Sequence, residues 1–153
     1  MTTFPAGVVA GLVGTSAMTA TLFADRFAGG MEGELPPRKV ARRAEESIGV
    51  RDDLSRPAFE ASWLAQHFAY GTAAGLAYEL AWHRLRLPEP LPSGPAYGLA
   101  LWAIGYSGWL PLMGLYPPPN RDSSRRVAGM IAHHLVYGTV VAMTASFLRH
   151  QRR

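Results

Sequence analysis

No cysteine occurs among the 153 residues. That absence excludes a disulfide framework, a thiolate metal site and a cysteine nucleophile. Charge is scarce as well. Asp, Glu, Lys and Arg make up 17% of the chain, where soluble domains average about a quarter. The shortage is uneven. Met1 to Ala24 and Leu91 to Tyr116 carry no charged side chain; Ala61 to Trp82 carries only His67 and Glu79, and Val127 to Leu148 only His133 and His134. A basic leader is missing too, since Met1-Thr2-Thr3-Phe4-Pro5 runs straight into apolar residues. The first stretch is therefore expected to remain as a span rather than leave as a cleaved signal.

What is present fits one domain, 1–153, built of helices. A helix rises about 1.5 Å per residue and a bilayer core is about 30 Å thick, so roughly 20 residues cross it. The uncharged stretches predict spans near 4–24, 61–82, 92–115 and 127–148, with charged loops between them. The expected fold class is all-α: a four-helix transmembrane bundle made of two similar helical hairpins. A soluble four-helix protein is the competing reading, and the mean hydropathy of only +0.02 favours it. Against it, a soluble amphipathic helix needs a charged face, which these stretches lack. Small residues also recur every fourth position: Gly7 and Gly11, Gly71 and Gly75, Gly94 and Gly98, Gly138 with Ala142 and Ser146. Such spacing lets helix backbones approach closely in lipid.

Basic residues set the sidedness. Arg26, Arg38, Lys39, Arg42, Arg43, Arg51 and Arg56 fall in the first loop, and Arg121, Arg125 and Arg126 in the third. Arg84, Arg86, Arg149, Arg152 and Arg153 fall on the other side. The excess places loops one and three in the cytoplasm and both termini outside. Net charge is +4, but no aromatic stacking platform accompanies the arginines, so nucleic acid is not the expected partner. Anionic lipid headgroups are, with Arg38, Arg42, Arg43, Arg121, Arg125 and Arg126 as candidate contacts. Within the cytoplasmic loop 25–58, Pro36-Pro37 can open a helix and Gly49 can close it. Val40, Ala41, Ala44 and Ile48 share one face. An interfacial amphipathic helix and a solvated linker helix both satisfy that pattern.

The two halves repeat one another. Pro36-Pro37-Arg38 precedes Arg42-Arg43 as Pro118-Pro119-Asn120-Arg121 precedes Arg125-Arg126, and His67-Phe68-Ala69-Tyr70-Gly71-Thr72 matches His134-Leu135-Val136-Tyr137-Gly138-Thr139. Pro5-Ala6-Gly7 and Pro95-Ala96-Tyr97-Gly98 begin the halves alike. Two hairpins related by an axis along the membrane normal would set His67 and His134 at one depth, about 10 Å inside the cytoplasmic edge, facing each other. Tyr70 and Tyr137 follow one turn on. His133 has no counterpart.

The run Leu35-Pro36-Pro37-Arg38, the His67-x-x-Tyr70-Gly71 block, Gly98-Leu99-Ala100-Leu101-Trp102 leading to Gly108-Trp109-Leu110-Pro111, and the His134-x-x-Tyr137-Gly138 block resemble YagU-like bacterial inner-membrane proteins. The resemblance implies four spans and the inner membrane, and carries no catalytic activity with it.

The candidate polar site within the spans is therefore His67, Tyr70, His134 and Tyr137. The first expectation is a non-enzymatic envelope or accessory protein, with room for self-association through its glycine faces. There the imidazoles bond a neighbouring helix, through Thr15, Ser16 or Ser107. A small proton- or solute-handling component is the alternative. A third is a b-type haem protein with His67 and His134 as axial ligands. No cofactor is required by the first two. Zinc is disfavoured because no carboxylate lies at that depth. An enzyme would need Asp122, Ser123 or Ser124 near the arginines, and no catalytic spacing joins them. Trp63 and Trp82 are placed as interfacial anchors, and Pro111 as the kink of the third span.

Overall fold

Proline, serine and glycine mark the points where the helices begin and end. Pro36 and Pro37 occupy a first helical turn, where their missing N–H groups cost nothing. Gly49 follows that helix at φ 74°, a left-handed conformation that suits glycine. Ser123 caps another helix, its Oγ accepting from the Arg126 N–H at 3.3 Å. Ser55 accepts in the same way from Ala58 N–H at 3.4 Å.

The computed structural model describes residues 3–31, 33–85 and 90–151. Their regular structure is helical: α1 (Thr3–Phe27), α2 (Pro36–Ser47), α3 (Arg56–Leu85), α4 (Pro90–Ile104), a one-turn α5 (Leu110–Leu112) and α6 (Ser124–His150). Short 3-10 turns lie at Arg51–Asp53 and Pro119–Arg121, and no strand occurs among the described residues. Arg86, Arg152 and Arg153, counted above for sidedness, lie outside these ranges. Two stretches, Phe4–Phe27 in α1 and Ser124–His150 in α6, are long and apolar enough to cross a bilayer. The 30-residue α3 has the length but less of the apolarity.

α1 packs on α3, α6 packs on α4, and α1 on α6 joins the two pairs. The four-residue spacing of small side chains explains both pairs. A methyl added to Gly11 would sit 2.7 Å from Thr72 Cα, and one on Gly7 2.8 Å from Leu76 Cα. In the other pair, a methyl on Gly94 would meet Ala142 Cβ and the Gly138 carbonyl, both at 2.8 Å. Backbones this close leave no room for a side chain at the crossing. By contrast, α3 and α4 hardly meet backbone to backbone among the described residues. Tyrosines span the gap instead. Tyr97 donates to the Ala74 carbonyl at 2.6 Å, and the Tyr78 and Ser93 hydroxyls lie 2.8 Å apart.

The far ends of α3 and α6 are tied by a buried ion pair. Glu79 is 1% exposed and accepts from Arg149; the same carboxylate faces His83 at 3.3 Å. The Arg149 guanidinium also lies 4.0 Å over the Trp82 ring. Trp63 departs from its expected anchoring role. It is buried, and its indole N–H donates to Glu60 at 2.6 Å.

Two other expectations change. The span foreseen over 92–115 is not one regular helix. α4 ends at Ile104, a wide π turn covers Gly105–Trp109, and Gly108 leaves helical geometry (φ −110°, ψ −106°). Pro111 has no N–H to give and its ring crowds the carbonyl four residues back, so the distortion falls in the turn before the proline. The Pro-Pro-Arg match is also not structural. Pro36-Pro37 open a separate amphipathic helix, whereas Pro118-Pro119 lead through a 3-10 turn directly into α6.

Candidate functional site

The loose α3–α4 seam holds a cavity of about 330 Å³. All four residues singled out from the uncharged stretches line it: His67 and Tyr70 from α3, His134 and Tyr137 from α6. Trp109 and Gly105 come from the π turn, and Thr15, Met18 and Leu22 from α1. Tyr106, Leu110, Leu115 and Tyr116 also line it, as does Gln66 of α3. Among the described residues no Asp, Glu, Lys or Arg lines it.

α2 roofs the cavity. Pro36, Pro37, Val40, Ala41 and Ala44 line it, while Ile48, expected on the same face, is 72% exposed. The apolar stripe thus turns onto the protein's own helices, a third outcome beside the lipid-facing and solvated ones. A ring of ion pairs holds α2 in place. Arg38 bonds Glu34 at 2.7 Å and Glu60 at 2.8 Å; Arg42 bonds Glu34 at 3.0 Å and Glu46 at 2.7 Å. The hydrogen bond to Arg38, then that to Trp63, holds the Glu60 carboxyl below the usual glutamate range. Buried Glu45 on α2 accepts from Ser62 at 2.5 Å and from Gln66 at 3.0 Å on α3.

These pairs revise the headgroup set. Arg38 and Arg42 are spent on Glu34 just before α2, Glu46 within it and Glu60 on α3, and Arg126 reaches Asp122 at 3.3 Å. Arg43 lies 3.8 Å from Glu46, an exposed and loose contact. Arg121 and Arg125 are exposed and form no ion pair among the described residues.

The hydrogen bonds assign the imidazole tautomers. Thr19 Oγ1 donates to the Thr15 carbonyl at 2.7 Å, so its oxygen accepts from His67 Nε2–H at 3.2 Å. The neutral His67 ring keeps its lone pair on Nδ1. His134 is the reverse. Its Nδ1–H donates to the Met130 carbonyl at 2.7 Å, leaving the lone pair on Nε2. The partners are therefore Thr19 and Met130, not Thr15, Ser16 or Ser107. Tyr137 donates to the Gly71 carbonyl at 2.5 Å and Tyr106 to Asp122 at 2.6 Å. Tyr116 stays neutral, its hydroxyl pushed up to about 12 chiefly by burial.

His133, which the repeat left without a counterpart, is buried, more so than His67 or His134. Its Nδ1 faces Thr21 Oγ1 at 3.1 Å and its Nε2 faces Asp25 at 3.3 Å. Sequence reasoning missed this link because Asp25 sits just past the first uncharged stretch. It also missed Glu79–Arg149, whose members lie 70 residues apart.

Two axial haem imidazoles would each present Nε2 to the iron, and Thr19 already takes that atom of His67. The pair does not fit a bis-histidine haem. Among the described residues no group of three His, Asp or Glu could hold a metal ion. No known protein family, curated protein or solved structure matches the chain.

Proposed function

We propose that this chain is a four-span integral protein of the bacterial inner membrane, made of two hairpins, and that it acts as a non-enzymatic binding or accessory component. The observation that carries the proposal is the cavity itself. It gathers the paired histidines and tyrosines of both halves and, among the described residues, contains no carboxylate or activated nucleophile. Ligand sites are mostly apolar concavities of about 300–1,000 Å³ with a few convergent polar groups. This one has that character. An acid–base enzyme would need a second titrating partner beside each imidazole.

Membrane residence is supported by where the apolar side chains point. Only 44% and 33% of the apolar stretches of α1 and α6 is buried inside the protein. Phe4, Leu12, Val13, Leu80, Leu99 and Ile104 are all exposed on the outside. Water does not tolerate so much outward apolar surface on a monomer. The YagU-like resemblance points to the same location and topology. The proton-handling alternative is less well served, because the hydrogen-bond chain from His67 through Thr19 ends at a backbone carbonyl.

The native chain has no cysteine, so single cysteines report sidedness cleanly. Ser47→Cys and Ser124→Cys should react with an impermeant maleimide only after the cells are opened, whereas Leu85→Cys should react in intact cells. The unaltered protein should stay in the pellet after carbonate washing. Release by carbonate, or labelling of all three positions alike, would overturn the proposal.

A further inference from the structure

The polar atoms of the cavity are unbalanced. Thr15 gives its hydrogen to the Gly11 carbonyl, Tyr137 to Gly71 and Tyr106 to Asp122. His67 gives its N–H to Thr19 and His134 to Met130. These donors are consumed inside the protein. What they leave are acceptors, foremost the His134 Nε2 lone pair, which has no partner among the described residues, and one buried donor without a partner there, the Tyr116 hydroxyl. A ligand that only accepts hydrogen bonds can meet Tyr116 but leaves the His134 lone pair unmatched. A ligand carrying an O–H can both accept from a hydroxyl and donate to that lone pair. Anions and cations find no counter-charge among the described residues, where no charged side chain lines the wall, and an unpaired charge in such surroundings is costly.

The walls are rings. Tyr70 and Trp109 lie 6.1 Å apart, centre to centre, and Tyr106 and Tyr116 5.3 Å apart. Flat aromatic surfaces at such spacings pack well with another ring. Tyr70 is also 47% exposed, and it lies on the side where α3 and α4 fail to close.

We propose that the cavity binds a neutral, membrane-dissolved aromatic alcohol, a phenol or quinol ring with an apolar tail. It enters between α3 and α4 and donates its hydroxyl hydrogen to His134 Nε2. The four-span assignment above supplies the route from the bilayer; the ligand's chemistry follows from the wall alone. Its oxidised or etherified form has the same shape but no hydrogen to donate. That form leaves the imidazole lone pair unmatched, and unmatched buried polar groups are what make such sites discriminate.

The test is a pair of probes, nonylphenol and its methyl ether, titrated into the full-length protein in nanodiscs. Tryptophan emission is the signal, corrected with empty discs. The phenol should bind at least tenfold more tightly than the ether. Trp109→Phe should remove most of the emission change, and His134→Ala should bring the two affinities together. Equal binding of phenol and ether by the unaltered protein would overturn the proposal even if His134→Ala fails to fold. So would no binding, or a preference that survives His134→Ala. A protein that stays dissolved without detergent yet still prefers the phenol would keep the ligand assignment and discard the membrane one.

Discussion

Thr19 looks unremarkable in the sequence, yet it decides what His67 can do. By giving its own hydrogen to the Thr15 carbonyl it takes one from the imidazole. The histidines themselves were legible because they interrupt uncharged stretches. Their partners were not, since a threonine in an apolar helix carries no distinguishing mark. Glu79 and Arg149 illustrate the same limit at longer range. Breaking a buried pair by removing one partner costs about 3–5 kcal/mol. Glu79→Gln and Arg149→Met should each lower thermal stability in detergent by that order, and the double variant should lose clearly less than the sum. Additive losses would mean that the two side chains act separately. Glu60 gives a pH prediction. Its folded carboxyl lies below the ordinary value, so its contribution to stability is present above that ordinary value. It fades as pH falls through the lower, folded one. Melting temperatures taken down an acid series should fall more steeply for the native protein than for Glu60→Gln. The side chain is 40% exposed, so the difference should be modest.

Among the elements, the helix pairs were the most legible. The glycine spacing marked faces where backbones can approach closely, and the structure puts those faces at the α1–α3 and α4–α6 crossings. Gly98→Leu places a side chain against the His134 backbone. It should destabilise by about 1–3 kcal/mol or more through overpacking, while Leu99→Ile, on the exposed face, should change little. Chemical denaturation of the two variants separates them, and equal losses would contradict the crossing. α2 was legible as an amphipathic helix but not as a roof. Periodicity tells which face is apolar and says nothing of what will cover it. The π turn was half legible. Pro111 announced a break, and the extra residue per turn appeared upstream, where the proline ring pushes.

Over the whole molecule, the charge pattern announced an all-helical chain with apolar faces, and the structure bears that out. Counting arginines overstated their freedom, because sequence distance hides Glu34 and Glu60 beside Arg38. Arg121 and Arg125 are the exposed pair. A basic side chain near an anionic lipid surface is worth about 1 kcal/mol. Replacing both with Gln should remove most of any extra stability the protein gains in anionic over zwitterionic nanodiscs. Replacing Arg38 and Arg42 should instead destabilise it equally in both lipids, by loosening α2. If the two double variants behave alike, this division of the arginines is wrong.

The seam between α1 and α6 is closed backbone to backbone, while its counterpart between α3 and α4 is looser and bridged by tyrosine side chains. Two identical hairpins paired about an exact axis would have no such choice, because symmetry makes both seams the same. Joining the halves in one polypeptide frees each to diverge. One seam can serve as the fastener and the other as the doorway, an asymmetry that a homodimer of either half alone could not sustain.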